Sequence, residues 1–232
     1  MKLPISKRLL ACAAMVQPNA RVADVGTDHG YLPIYLLTNQ ICSHVIAADL
    51  REKPLDTARK NAALYGTAEQ TEFVLSDGLH NIDKAAFDTL ICAGMGGDCI
   101  SAILEAAPWL KDKQYTLILE PQSSGNDLRR YLGKNGFAIT EERLVQDGRF
   151  LYAVLQVRYG AGRPLTPGEQ YASPALLQSN DPLLLPYLQR IERSLKNTVA
   201  GIAKGETEDD RRKLAYYSAA LQEITHDLNN LK

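Results

Sequence analysis

The sequence predicts a doubly wound α/β fold: a mostly parallel sheet with helices on both faces. Three observations lead there. Short apolar runs alternate with helical runs as far as Gly136, and aspartate or glycine stands where several of the apolar runs end. Beyond Gly136 the alternation stops, and two strand-like runs follow one another through Asp147-Gly148. Strands separated by helices imply right-handed parallel crossovers, whereas two runs joined by Asp-Gly imply an antiparallel hairpin.

The elements follow in order. "MKLPISKRLLACAAMVQPNA" has the basic start and short apolar core of an export signal, but it reads better as a helix within residues 1–18. Ser6 can cap it, and Leu9, Leu10, Ala13 and Ala14 form its inward face. "RVADVG" (21–26) is a buried strand and "YLPIYLLTN" a helix; "SHVIAADL" (43–50) is a strand, and "KPLDTARKNAALYG" a helix with Pro54 in its first turn and Gly66 past its end. "TEFVLSD" and "FDTLICAG" are the third and fourth strands. "GDCISAILEAAPWL" is a helix capped by Asp98, "YTLILEP" the fifth strand, and "SSGNDLRRYLGKNG" a helix with Gly136 beyond it. "FAITEERLVQDG" and "RFLYAVLQVRYG" form the closing hairpin.

Composition sets outer bounds. The 232 residues are 45% hydrophobic and 23% charged, enough for one full-sized core plus an appendage. Net charge is −1, so a polyanionic partner would be held by local clusters rather than by the overall field. Cys12, Cys42, Cys92 and Cys99 form no CxxC pair and lie in apolar surroundings, which suits reduced, buried thiols and argues against a disulfide framework or a metal site. No stretch approaches the roughly twenty apolar residues of a membrane span. A cytoplasmic monomer is expected.

The chemistry is concentrated where strands end. In open α/β sheets the ligand lies outside the carboxyl ends of the strands, at the point where strand order reverses. "VADVGTDHGYLP" holds the first such turn, and Gly26 and Gly30 let a ligand approach its backbone. A dinucleotide fingerprint starting at Gly26 would need glycine at 28 and 31, which are Asp28 and Tyr31. A carboxylate at that turn repels a pyrophosphate and attracts the ammonium and sulfonium of S-adenosylmethionine. Asp49 follows Gly26 by 23 residues and suits two ribose hydroxyls; Asp77, followed by Gly78, suits the adenine amino group. His29 lies in the same turn, where local hydrogen bonding competes with a chemical role. A seven-stranded, mostly parallel sheet with an antiparallel last strand and this acidic rim describes a Rossmann-like class I methyltransferase.

The fourth strand ends in "ICAGMGGD". Enzymes that methylate exocyclic amines often carry Asn or Asp, two prolines and an aromatic residue there. Ala93, Gly94, Met95 and Gly96 offer only backbone groups. Such a loop suits a nucleophile with a free lone pair, such as a ring nitrogen, for which proximity and alignment supply most of the effect.

Over essentially its whole length the chain resembles the bacterial tRNA (adenine(22)-N(1))-methyltransferases. The resemblance rests on "SKRLLACAAMV", "VADVGTDHGYLP", "AADLREKPLDTARKNA", "LSDGL", "DTLICAGMGGDCI", "LILEPQ" and "DGRFLYAV", of which the DHGYLP and AGMGG segments are the specific ones. It implies S-adenosylmethionine as cofactor and a D-arm adenosine of tRNA as substrate, methylated at N1. It further implies cofactor contacts from Asp24, Gly26, Asp28, His29, Asp49 and Asp77, with Gly78 and Ala93 beside them. Tyr31, Gly94, Met95 and Gly96 fall on the target-base side. Gln122 stands where the family pattern leads one to expect asparagine nearby, and its role is open. A methyltransferase of a small molecule or protein, and a nonenzymatic nucleoside-binding protein, remain alternatives; a nicotinamide dehydrogenase fits poorly.

"GAGRPLTPGEQYASPAL" marks a boundary after Tyr159, dividing a catalytic domain (1–159) from a linker and helical segment (160–232). Leu184, Leu188, Ile191, Leu195 and Ile202, then Leu214, Tyr217, Leu221, Ile224, Leu228 and Leu231, recur near a 3.5-residue period. Gly205 can end the first helix and Thr207 cap the second, which predicts an antiparallel coiled-coil hairpin. Arg190, Arg193 and Lys196, or Arg211, Arg212 and Lys213, are candidate tRNA phosphate contacts, with Lys2, Lys7, Arg8, Arg129 and Arg130 as further ones.

Overall fold

The computed structural model describes residues 3–231. Seven strands form one sheet: β1 (Val22–Val25), β2 (Val45–Asp49), β3 (Thr71–Leu75), β4 (Thr89–Met95), β5 (Thr116–Pro121), β6 (Phe137–Asp147) and β7 (Phe150–Tyr159). Their order is β3-β2-β1-β4-β5-β7-β6, with β7 inserted antiparallel to both neighbours. β1, β2 and β5 are buried throughout and β4 over Thr89–Cys92, which is why they read as apolar runs. The chain leaves β1 toward β2 on one side and returns to β4 on the other, so strand order reverses between β1 and β4.

Helices α1 (Lys7–Ala13), α2 (Tyr31–Thr38), α3 (Glu52–Leu64), α4 (Gly97–Ala106) and α5 (Gly125–Lys134) cover the sheet. The Ser6 side chain caps α1 by accepting from Leu9 N at 3.4 Å. The inward residues of that segment are Cys12, Ala13, Met15 and Val16; Ala14 is exposed, because the chain leaves helical geometry there and turns Met15 and Val16 toward the core. Asp98 does not cap α4: Gly96 is the N-cap, and Asp98, in the first turn, accepts from Ser124 Oγ at 2.9 Å. The β6–β7 loop is one residue later than expected, with Gly148 (φ +60°) and Arg149 between the paired Asp147 and Phe150.

Beyond β7 the chain packs a short helix, α6 (Pro174–Leu177), and a hairpin of α7 (Leu184–Ile202) and α8 (Glu208–Asn230). Thr207 caps α8 in a reciprocal box with Asp210, and α7 stops three residues before Gly205. The hairpin is docked: Leu184, Tyr187, Leu188, Leu195, Ala220, Ile224 and Leu228 are buried in a core continuous with the sheet. Leu231, expected in the seam, is exposed past the end of α8. Tyr187 and Ala220 are buried positions that the spacing did not single out, and the Tyr187 hydroxyl donates to Tyr171 O at 2.8 Å.

Two other expectations change. Cys12, Cys42 and Cys92 are buried, but Cys99 is exposed in the first turn of α4. Arg129 is among the most buried large side chains, its guanidinium held by Glu142 (Nε–Oε2 3.3 Å) and by Gly125 O (2.9 Å), so it cannot reach a tRNA phosphate. Lys2 lies outside the described residues. No helix among the described residues is long and apolar enough to cross a membrane.

Candidate active site

The carboxyl ends of β1 to β4 open onto a cavity of about 610 Å³ at the strand-order reversal. The residues singled out for the site line it except Gly30, which is buried with its Cβ position 3.0 Å from Ala58 of α3 and so does not admit a ligand, and Gly96, whose place as N-cap of α4 turns it toward Ser123; a Cβ there would come within 3.1 Å of Ser123 Oγ.

The turn after β1 is built by backbone geometry. Gly26 N and Thr27 N both donate to Ala48 O at 2.9 Å, tying the turn to β2. Gly26 (φ +78°), Asp28 (φ +51°) and Gly30 (φ +70°) are left-handed, a conformation that glycine adopts freely and aspartate tolerates. A Cβ on Gly26 would lie 2.7 Å from Met95 Cε, so the β1 and β4 turns touch across this glycine. Asp49 fixes the turn from the next strand: Oδ2 accepts from Asp28 N at 3.1 Å and Oδ1 from Arg51 N at 3.0 Å.

Four carboxylates share the rim. Asp24 is buried, and desolvation pushes its carboxyl up to about 7; the Thr27 hydroxyl opposes that rise and the charge of Asp49 adds to it. Asp49 is buried, while Asp28 and Asp77 are exposed. His29 is half exposed, with Nε2 3.6 Å from Asp28 Oδ2 and its ring stacked on Tyr31 at 5.6 Å between centroids. Asn61 Nδ2 donates to His29 O at 2.8 Å and holds the turn from α3. At the third strand end, Ser76 N donates to Asp49 O at 2.9 Å, and Gly78 packs 3.2 Å, by its absent Cβ, from Ile103.

The β4 end contains a bulge that sequence reading missed. Pairing with β5 shifts register between Ala93 and Met95, leaving Gly94 (φ +82°) outside the ladder. Its N–H donates instead to Glu120 Oε2 at 2.8 Å, and the same oxygen accepts from Arg8 Nη1 at 2.9 Å. Glu120 is fully buried in β5 and its Oε1 has no hydrogen-bond partner among the described residues. Burial raises its carboxyl above the ordinary range against the lowering effect of Arg8. Arg8, considered above for tRNA, is thereby committed to the cavity wall. Its distance in sequence from Glu120 hid the pair; the only signal was an acid inside an otherwise apolar strand. Gln122 N donates to Met95 O at 2.9 Å, bracing the loop from β5.

The site fits a cationic nucleoside cofactor: carboxylates at three successive strand ends, a glycine turn with no room for a side chain, and a bare backbone segment opposite. No group of three or more metal-ligating side chains occurs among the described residues. Residues 5–155 match the family model of a methyltransferase domain. Together, fold and match define a class I, S-adenosylmethionine-dependent methyltransferase.

The particular family follows from relatives. The chain is 34% identical over 162 residues to the tRNA (adenine(22)-N(1))-methyltransferase of Bacillus subtilis, spanning 68% of this chain and 67% of that one. The crystal structure of the B. subtilis m1A22 tRNA methyltransferase superposes with a TM-score of 0.86 at 26% identity, covering 98% of this chain and 100% of that one. A Streptococcus pneumoniae structure in complex with S-adenosyl-L-methionine superposes with a TM-score of 0.82 at 28% identity, covering 97% and 99%. This chain belongs to the tRNA (adenine(22)-N(1))-methyltransferase family.

Proposed function

We infer that the protein transfers a methyl group from S-adenosylmethionine to N1 of a D-arm adenosine in tRNA. The observation that carries this is the juxtaposition of the acid-rimmed cavity with the bulged Ala93–Gly94–Met95 backbone, which lacks any side chain able to deprotonate an amine. When bound, the cofactor supplies an electrophilic methyl on a sulfonium.

The chain's residues divide the remaining work. Asp49 accepts from the ribose hydroxyls while its backbone bonds keep it oriented, and Asp77 with Gly78 borders the adenine. Asp24 and Asp28 hold the cationic amino acid end, and Gly26 lets that end pass close to the backbone. His29 packs beneath Tyr31, and Tyr31 stacks on the extruded target base, offsetting part of the few kcal/mol that unstacking costs. N1 already carries a lone pair, so no base acts before attack. The carbonyls of Ala93 and Gly94 face the cationic ring as its charge develops, and the Glu120 bond fixes their direction. Gly96 acts only by starting α4.

In this reading residues 1–159 perform methyl transfer and residues 160–232 help hold tRNA. The site is complete within one chain, in keeping with a monomer, and three buried free thiols suit the cytoplasm. The test is mass spectrometry of nucleosides from bulk tRNA incubated with the protein and S-adenosylmethionine. N1-methyladenosine is expected; cofactor binding with no methylated tRNA nucleoside would overturn the assignment.

A further inference from the structure

The first residues of β7 have no role in the site described so far. Because β7 runs antiparallel, Phe150 to Ala153 stand past Leu155, which pairs with Leu119 near the end of β5, and so reach the edge where the parallel strands terminate. A cleft of about 330 Å³ opens there, between the strand end, α5 and α7, lined among others by Gln122, Asn126, Phe150, Tyr152, Tyr187 and Arg190. No aspartate or glutamate lines it, although the chain has 27 acidic residues.

The cleft adjoins the target-base loop. Gln122 N bonds Met95 O at 2.9 Å and Ser123 O accepts from Gly97 N at 2.8 Å, so the loop that faces the cavity is backed by the segment that lines the cleft. Phe150 is 48% exposed at the hairpin tip, with the Arg149 guanidinium 5.0 Å from its ring centre and the Tyr152 ring 6.2 Å away. Across the cleft, the Arg190 guanidinium lies 5.7 Å from the Tyr187 ring centre, and its Nη2 donates to Leu151 O at 3.2 Å. Neither arginine has an acidic partner among the described residues. Of the other hairpin cations considered for tRNA, Lys196 pairs with Glu192 at 2.9 Å and Lys213 with Asp209 at 2.6 Å, whereas Arg193 and Arg211 have no ion pair among the described residues but do not line this cleft. The amino end of α5, with its positive dipole, opens on the same space.

We propose that this cleft is a second RNA subsite, which takes a nucleotide neighbouring the methylated adenosine. Its base stacks on Phe150 and Tyr152, and its phosphate meets Arg149 and Arg190. Aromatic faces interleaved with uncompensated cations suit unpaired RNA. Flipping one base out also strips its neighbour of a stacking partner, and the aromatic tip replaces that partner. The proposal rests on the tRNA reading above.

The test uses the full chain and its Phe150→Ala, Arg149→Ala, Arg190→Ala and Arg190→Lys variants. Phe150 and Arg149 are exposed at a loop tip, so their removal leaves folding intact. Cofactor Kd by calorimetry is expected to stay within about twofold, whereas Phe150→Ala raises the KM for tRNA about fivefold or more. Each arginine-to-alanine change lowers the slope of log Kd for tRNA against log salt by about 0.7–0.9, and Arg190→Lys restores it. Unchanged KM and salt slope in all the alanine variants, with a wild type that methylates tRNA, would overturn the subsite alone. A wild type inactive on tRNA would instead overturn the functional reading on which it rests.

Discussion

Glu120 Oε2 accepts the Gly94 N–H at 2.8 Å, and that one bond joins the core of the sheet to the bulged loop lining the cavity, the loop proposed to face the target base. The acceptor is fully buried, the donor sits in a bulge, and Arg8 of α1 neutralises the same oxygen at 2.9 Å. In the proposed reading Glu120 is therefore a positioning residue, and α1 contributes Arg8 to the cavity wall.

Replacing Glu120 separates its charge from its shape. Glu120→Gln keeps an acceptor for Gly94 and is expected to lower turnover while leaving cofactor Kd nearly unchanged. Arg8→Ala leaves a buried carboxylate without its counter-ion and is expected to destabilise the protein by about 3 kcal/mol. Thermal unfolding alongside single-turnover methylation distinguishes the two; a folded Glu120→Ala enzyme, which has no acceptor for Gly94, with wild-type turnover would remove Glu120 from the positioning role.

If Asp24 holds the cofactor's cationic end as proposed, binding is expected to depend on pH. Burial pushes its carboxyl up to about 7, and the ionised form is the one that attracts an ammonium. Affinity for S-adenosylmethionine should rise roughly tenfold between pH 5.5 and 7, as the ionised fraction grows. The same shift acts on stability with the opposite sense: the native state holds the proton that the unfolded chain releases near pH 4, so stability falls as pH rises from there through 7. Asp24→Asn should flatten both trends, and calorimetry with melting curves across pH reads them directly.

Gly26→Ala tests the contact between the two turns. The new Cβ would fall 2.7 Å from Met95 Cε at a backbone φ of +78°. Met95 can swing away, but the left-handed backbone costs about 1–2 kcal/mol, equivalent to a fall of roughly 2–8 °C in Tm for a chain of this size. Cofactor Kd is expected to rise as well, and a variant with unchanged Kd would show that the ligand does not pass over Gly26.

Tyr31→Ala should damage chemistry more than cofactor binding. The ring is half buried and backed by His29 at 5.6 Å, a placement suited to a stacking surface. Turnover on tRNA is expected to drop about tenfold or more, with cofactor Kd changing less than about threefold. Equal losses in both would move Tyr31 to the cofactor side.

Much of this protein is legible in one dimension because its signals are local. Burial on both faces makes β1, β2, β5 and β4 over Thr89–Cys92 apolar runs, and the Asp147-Gly148 pair announces the antiparallel insertion that sets the sheet class. Asp24, Asp28, Asp49 and Asp77 could be grouped from sequence because parallel strands deliver their carboxyl ends to one edge, so residues far apart in the chain share a position relative to their own strands and line one cavity.

Only the tertiary structure decided the rest. The Gly94 bulge, the burial of Arg129 against Glu142, the exposure of Cys99 and the union of Arg8 with Glu120 depend on register between strands and on contacts across many residues. No periodicity or turn rule encodes such a contact: a charged residue looks alike in sequence whether its partner is water, a buried carboxylate or a phosphate, and the difference is desolvation, which exists only once the chain has packed.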